Sequence, residues 1–357
     1  VAAVMAERRF QTIALMADEA GKTAREADPE VSEASDFARY YGTVGLDAVH
    51  SVAREGFQVT GRAVVLVVAP WNFPYAIPAG GVCAALAAGN AVVLKPAPET
   101  RRTAKALVEQ LWHAGVPRDL VQYVACDDDD VGRHLVTHAA VDTVLLTGSF
   151  DTARRFLSWR PDLRLLAETS GKNALVITAA ADVDAALRDL VRSAFGHAGQ
   201  KCSAASLAIV EASLHDDPTF LPRLADAVRS LTVGRADDPA TMVGPLIAPP
   251  SDQLRRGLTA LDAGERWLVQ PRRVDETTWT PGVRTGVAAG SWFHTTECFG
   301  PVLGVMRARD PDHAIELQNA TPYGLTGGIH SLDPAEVDRW IDRVQIGNAY
   351  VNRHITG

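Results

Sequence analysis

The chain has 357 residues, 47% of them hydrophobic and 22% charged, with a formal net charge of −8. That length and balance suit two or three globular domains able to bury a large core. The negative charge argues against a nucleic-acid partner or an anionic membrane surface, and no apolar run approaches the ~20 residues of a bilayer span.

The opening stretch VAAVMAERRFQTIALMADEAGKT reads as an amphipathic helix and lacks the order of a signal peptide. It has no initiator methionine, which points to a start inside a longer protein or after a leader. From about residue 63, short β-branched runs alternate with helical patterns. AVVLVVAP (63–70) reads as a strand ended by Pro70, and IPAGGVCAALAAG (77–89) as a helix of small residues closed by Gly89. NAVVLKP (90–96) is a second strand, followed by a helix in ETRRTAKALVEQLWHAG (99–115). LVQYVAC (120–126), TVLLTGS (143–149) and ALVIT (174–178) repeat the strand pattern, with helices at about 129–138, 151–159 and 183–195. Such alternation predicts an α/β fold with a doubly wound parallel sheet, which binds ligands beyond the carboxyl ends of its strands. A second α/β unit begins near SLAIV (206–210), with a helix over about 218–232. DDDD (127–130) reads as a solvated helix start.

There are four cysteines, Cys83, Cys126, Cys202 and Cys298. None forms a CxxC pair, and no His cluster has metal-ligand spacing, so neither a disulfide framework nor a metal is expected. A reducing cytoplasm is the expected compartment. Each sulfur is then a packing group or a nucleophile.

The strand ends carry the candidate chemistry. In PWNFP (70–74), Asn72 offers two N–H donors suited to a developing oxyanion, or it caps the helix that follows. In KPAPET (95–100), Lys95 suits ribose hydroxyls or a phosphate, or is simply solvated. TGSF (147–150) puts Gly148 and Ser149 at a strand-to-helix turn, where N–H groups favour a phosphate. No GxGxxG follows the first strand. In ETSGK (168–172), partial desolvation would make Glu168 a stronger base; the plainer reading is an exposed turn carboxylate. GHAGQKCSAA (196–205) holds Cys202, and TECFGPV (296–302) adds Glu297. Cys83, Cys126 and Cys298 read as small buried packing groups.

In their order and spacing, including the 34 residues from Glu168 to Cys202, these motifs resemble the aldehyde dehydrogenase superfamily along the whole chain. AGQKCSA, TPYGLTGGIHS and IGNAYVNRHITG are most similar to the L-glutamate γ-semialdehyde (Δ1-pyrroline-5-carboxylate) dehydrogenases. Within these, the likeness is to the dehydrogenase domain of the bifunctional proline-utilisation proteins. The resemblance implies a Rossmann-type cofactor domain (1–42 and 62–170), a small oligomerisation hairpin (43–61) and an α/β catalytic domain (171–357). It implies NAD-dependent oxidation of glutamate γ-semialdehyde. The alternatives are another small aldehyde or semialdehyde, or a non-catalytic dinucleotide-binding relative.

By the same resemblance Cys202 is the nucleophile, Glu168 the base that hydrolyses the thioester, and Asn72 an oxyanion donor beside the Cys202 N–H. Trp71 and Gly148 belong to the cofactor site. Lys95 meets the adenine-side ribose, Gly132 and Ser149 the pyrophosphate, and Glu297 the nicotinamide ribose, with Phe299 nearby. Ser203 would take the substrate α-carboxylate and Phe73 would wall its aliphatic chain. The family uses no Cys–His pair, so His197 is given no such role. NAD is expected rather than NADP. A proline dehydrogenase domain or partner and a homo-oligomer complete the expected partners.

Several positions depart from the family pattern. Pro98 stands where many relatives have an acid, which removes one ribose contact. Phe150 replaces a small hydroxyl residue, and Asp128 replaces a glycine near the pyrophosphate. The chain stops at VNRHITG, before the Gly-rich segment that completes the carboxylate anchor in this family and leads to an oligomerisation strand.

Overall fold

The structure is a computed structural model that describes residues 1–61, 63–127 and 129–356. Asp128 lies outside the described residues. The chain divides into two compact units, Val1–Thr169 and Ser170–Gly357.

The first unit is built on five strands: β1 (Val64–Val68), β2 (Ala91–Lys95), β3 (Val121–Tyr123), β4 (Val141–Thr147) and β5 (Arg164–Glu168). Their order is β3-β2-β1-β4-β5, and every neighbouring pair is parallel. The near-continuous Val and Leu runs follow from burial on both faces of such a sheet. Alternate residues of β1 divide between two layers. Val65 and Val67 pack with Leu94, Leu107 and Met16, whereas Leu66 and Val68 pack with Val144, Leu146 and Phe156. Strand order reverses between β1 and β4, and the carboxyl ends beside such a switch point form a natural ligand crevice.

The helices between these strands lie close to their predicted positions, at Ala76–Ala87, Arg101–His113, Asp130–Thr137 and Phe150–Trp159. The amphipathic start is two helices, Ala2–Glu7 and Arg9–Ala20, broken at Arg8 and ended by Gly21 in the left-handed region (φ 62°). A third helix, Ala24–Tyr40, follows.

The hairpin expected over 43–61 is a correction. Residues 46–54 form the helix Leu46–Arg54, and no residue from 43 to 61 is in a strand. Leu46, Val49 and Ala53 recur at helical spacing, and no turn pair interrupts them where a hairpin would need one. Gly56 comes only after the helix has ended. None of that helix's residues is buried.

The second unit holds β6 (Asn173–Ile177), β7 (Ala205–Glu211), β8 (Arg266–Val269), β9 (Gly282–Thr285), β10 (Val302–Ala308), β11 (Thr326–His330) and β12 (Asn348–Val351). They form one sheet ordered β12-β11-β6-β7-β10-β9-β8, antiparallel only between β8 and β9. The helix Val183–Phe195 connects β6 towards β7 and buries Leu187, Leu190 and Phe195 against the sheet's own Leu175, Ile177 and Ile209. The chain then turns through residues 196–204, which contain Cys202, before β7 begins.

Candidate active site

All five strands of the first unit are parallel, so their carboxyl ends share one edge. Asn72 follows β1 there, Lys95 ends β2, Gly148 follows β4, and Glu168 ends β5. Lys95 is only 2% exposed.

The Asn72 turn is held by two residues the sequence reading did not single out. Lys22 and Glu30 form a fully buried ion pair, Nζ to Oε2, at 2.5 Å. Lys22 also donates to the Asn72 carbonyl at 2.9 Å and lies 4.0 Å from the centre of the Phe73 ring. The other Glu30 oxygen accepts the N–H groups of Tyr75 and Ala76 at 2.8 and 3.0 Å. A carboxylate from a distant helix therefore caps the helix that begins at Ala76, a placement its dipole favours. That helix has no side-chain cap from its own flank. Asn72 is buried, and its side chain does not cap that helix.

The Gly148 N–H donates to the Glu168 carbonyl at 3.1 Å. Ser149 caps the helix Phe150–Trp159, its hydroxyl accepting from the Thr152 N–H at 3.1 Å. Gly132 is buried near the start of its helix, and its N–H donates to Asp129 at 3.3 Å. The Glu168 carboxylate is exposed, where the sequence reading allowed partial desolvation. Its strand is the sheet edge, which leaves the side chain uncovered. Trp71 and Phe73 are half-buried.

In the second unit Cys202 is half-buried, on a loop with unusual backbone. His197, Ala198 and Gly199 take φ values of 51°, 54° and 70° in succession. Consecutive left-handed residues that include a histidine and an alanine cost of order 1–3 kcal/mol each, and such strain collects where a site must be held in place. At Gly199 a Cβ would collide with the Gly300 carbonyl, so no larger residue fits without a shift.

Polar contacts hold this loop. Gln200 donates from Nε2 to the carbonyls of His197 (3.1 Å) and Pro245 (3.3 Å), and its Oε1 accepts from the Ile247 N–H at 2.9 Å. Asn173 donates from Nδ2 to the carbonyls of Cys202 (2.7 Å) and Ala204 (3.0 Å), while its Oδ1 accepts from the Thr326 N–H at 3.1 Å. A Cβ on Gly171 would come within 2.9 Å of the Cys202 carbonyl. His197, itself part of the loop, is buried. Ser203, next to Cys202, is half-buried, and its carbonyl lies 3.5 Å from the Thr326 hydroxyl.

Glu297 joins the same cluster, its Oε1 accepting the Gly171 N–H at 2.7 Å. Burial pushes its carboxyl up, opposed by the Gly171 N–H, the Ser170 hydroxyl and Lys172. Phe299, two residues on, sits at φ 56°, a further strained non-glycine position. Segment 170–173 thus brings Cys202, Ser203 and Glu297 around one short stretch of backbone. Asn173 and Gly171 carry that arrangement. Their only sequence signal is ETSGK itself, which contains Gly171 and immediately precedes Asn173.

The remaining cysteines differ among themselves. Cys83 and Cys298 are buried, and burial pushes both thiols up, Cys83 to about 11. Both suit a packing role. Cys126 is only half-buried, a correction to its expected burial, because it stands beyond the end of β3 at the strand-end edge.

The first unit's strand ends suit the adenosine and pyrophosphate of a dinucleotide. They combine a switch point between β1 and β4, a buried lysine at the end of β2, and the positive end of a helix after β4. No group of three or more His, Cys, Asp or Glu able to hold a metal exists among the described residues.

The chain thus has an α/β architecture of a five-stranded parallel sheet and a seven-stranded mixed sheet, with the loop cysteine just before β7. The chain belongs to the aldehyde dehydrogenase family, oxidoreductases acting on aldehydes, whose model matches residues 1–357. It is 35% identical over 374 residues to the 1-pyrroline-5-carboxylate dehydrogenase of Geobacillus kaustophilus, covering 100% of this chain and 72% of that protein. Proline utilization A (PutA) from Corynebacterium freiburgense superposes with a TM-score of 0.94 at 50% identity, over 99% of this chain and 36% of that one. The chain thus spans about a third of the length of that PutA protein. The Thermus 1-pyrroline-5-carboxylate dehydrogenase with bound NAD gives a TM-score of 0.90 at 31% identity, over 99% of this chain and 72% of that one. No helix among the described residues is long and apolar enough to cross a membrane.

Proposed function

We propose that this protein oxidises L-glutamate γ-semialdehyde to L-glutamate with NAD, by covalent catalysis at Cys202. The observation that carries the reading is the loop of Cys202 itself, strained at His197–Gly199 and pinned through its carbonyl by Asn173. The names of the relatives support the substrate class.

In this reading the Cys202 thiolate adds to the aldehyde carbon and forms a thiohemiacetal oxyanion. The Asn72 amide and the Cys202 N–H donate to that oxygen; losing one such donor typically costs ~10²–10³ in rate. Bound NAD supplies the two-electron acceptor, and the oxidised acyl group stays on Cys202 as a thioester. Glu168 takes a proton from water, which attacks the thioester carbon, releases the carboxylate product and restores the thiol. Trp71, Lys95, Gly132, Gly148, Ser149, Glu297 and Phe299 hold the dinucleotide. Ser203 meets the substrate α-carboxylate and Phe73 its aliphatic chain. A proline dehydrogenase, fused or separate, would supply the substrate, and self-association is part of the same reading.

Steady-state NADH formation tests it. Glutamate γ-semialdehyde should support turnover that Cys202→Ala abolishes while NAD binding persists. Turnover retained in Cys202→Ala would remove the covalent route. Turnover with other aldehydes alone would remove the substrate.

A further inference from the structure

The departure at Pro98 leaves open what tells NAD from NADP, and the answer lies beside it at the end of β2. The two cofactors differ by a doubly charged phosphate on the adenosine 2′-oxygen. A site that accepts it offers an arginine or free N–H groups, and a site that refuses it offers a carboxylate.

After Lys95 the chain passes through the short turn Pro98–Thr100 into the helix Arg101–His113. Three positive features gather there, and each already faces a carboxylate of this chain. The helix N-terminus is capped by Glu19, which accepts the N–H groups of Arg102 and Thr103 at 2.8 and 2.7 Å. The Arg102 guanidinium pairs with Asp18 at 2.5 Å. The Arg101 guanidinium pairs through Nη2 with Asp127.

Asp127 comes from the neighbouring strand's end. β3 runs parallel to β2, and the chain beyond it stays paired, with Val124 donating to the Leu94 carbonyl at 3.0 Å. Tyr123 fixes the start of the helix by donating its hydroxyl to the Arg101 carbonyl at 2.8 Å. The Nε of Arg101 is buried without a hydrogen-bond partner, whereas the side chain as a whole is 43% exposed, so it is the terminal nitrogens of this guanidinium that face solvent.

We propose that Asp127 is a specificity-determining residue that excludes a 2′-phosphorylated dinucleotide by holding Arg101, with Asp18 and Glu19 neutralising the other two positive features. A 2′-phosphate arriving beside Lys95 meets three carboxylates and displaces none without leaving it unpaired. A 2′-hydroxyl carries no charge and escapes that repulsion. Selection against NADP is thereby distributed over residues 18, 19 and 127 instead of resting on an acid at position 98. The inference rests on the reading that Lys95 takes the adenosine ribose.

Dissociation constants for NAD and NADP, measured by titration calorimetry on the wild-type protein, Asp127→Asn and Asp127→Asn/Arg101→Ala, test it. The Asp127 side chain is 64% exposed, so its substitution leaves the fold intact. The wild type should favour NAD. Asp127→Asn should tighten NADP relative to NAD by about tenfold, the scale of one charge-assisted hydrogen bond, and removing Arg101 as well should cancel the gain. An NADP-to-NAD ratio unchanged in Asp127→Asn, or a gain that survives loss of Arg101, would overturn the proposal while leaving Lys95 in its role. Failure of the wild type to bind either dinucleotide would overturn the reading of Lys95 and this inference with it.

Discussion

The side-chain amide of Asn173 donates to the main-chain carbonyl of Cys202 at 2.7 Å and to that of Ala204 at 3.0 Å. The first residue of β6 therefore sets where the loop cysteine stands. Asn173→Ala should leave two loop carbonyls and the Thr326 N–H unpaired, at about 1–3 kcal/mol for each buried group. Asn173→Asp should be worse, because it turns an acceptor towards two carbonyls. Urea unfolding and the rate of Cys202 alkylation check both. Stability and alkylation rate equal to wild type would show that Asn173 does not hold the loop.

The pair Lys22–Glu30 supports Asn72 from beneath. Removing one partner leaves the other buried and uncompensated, which typically costs about 3–5 kcal/mol. Glu30→Gln should lower unfolding stability by that order and reduce turnover through the displaced Asn72 turn. The double variant Lys22→Met/Glu30→Gln should lose less than the two single variants added together, since its second change removes the stranded charge. Denaturant titration of all three variants decides; additive losses would mean the pair acts independently.

Lys172 gives a pH signature. Its ammonium is buried, lies 4.0 Å from the centre of the Phe293 ring and has no hydrogen-bond partner among the described residues. Burial drives it down to about 8 from an ordinary 10.5, opposed by the acidic groups Cys298, Glu297 and Glu265. Between those two values the unfolded chain binds the proton and the folded chain does not. Folded stability should therefore rise with pH from about 8 towards 10.5 and be lost as pH falls through 8. Lys172→Met should remove that slope, on the order of 3 kcal/mol across the window. Unfolding curves of both proteins at several pH values check it; parallel pH dependences would mean that the ammonium is not desolvated.

Much of the first unit could be read directly, because β1, β2 and β4 are Val- and Leu-rich runs bounded by Pro or Gly and separated by long helical patterns. The second sheet was harder: β8, β9 and β12 are four-residue strands, too short for a clear period. The segment 43–61 was misread because a family likeness suggested a hairpin where the residues themselves have helical spacing. Cys202, Asn72 and Lys95 stood out because each follows a recognisable run. Lys22, Glu30 and Asn173 did not, since, apart from the eight-residue step between Lys22 and Glu30, they act on residues 29 to 153 positions away and carry no local motif. The exposure of Glu168 depends on β5 being the edge strand, which strand order alone reveals.

Trapping the acyl group tests the central claim most directly. Glu168→Gln, incubated with glutamate γ-semialdehyde and NAD, should stall after one turnover. Peptide mass spectrometry should then find the glutamyl acyl group on the peptide that contains Cys202. Rapid continuing turnover, or an acyl group on Cys83, Cys126 or Cys298 with Cys202 unmodified, would contradict it.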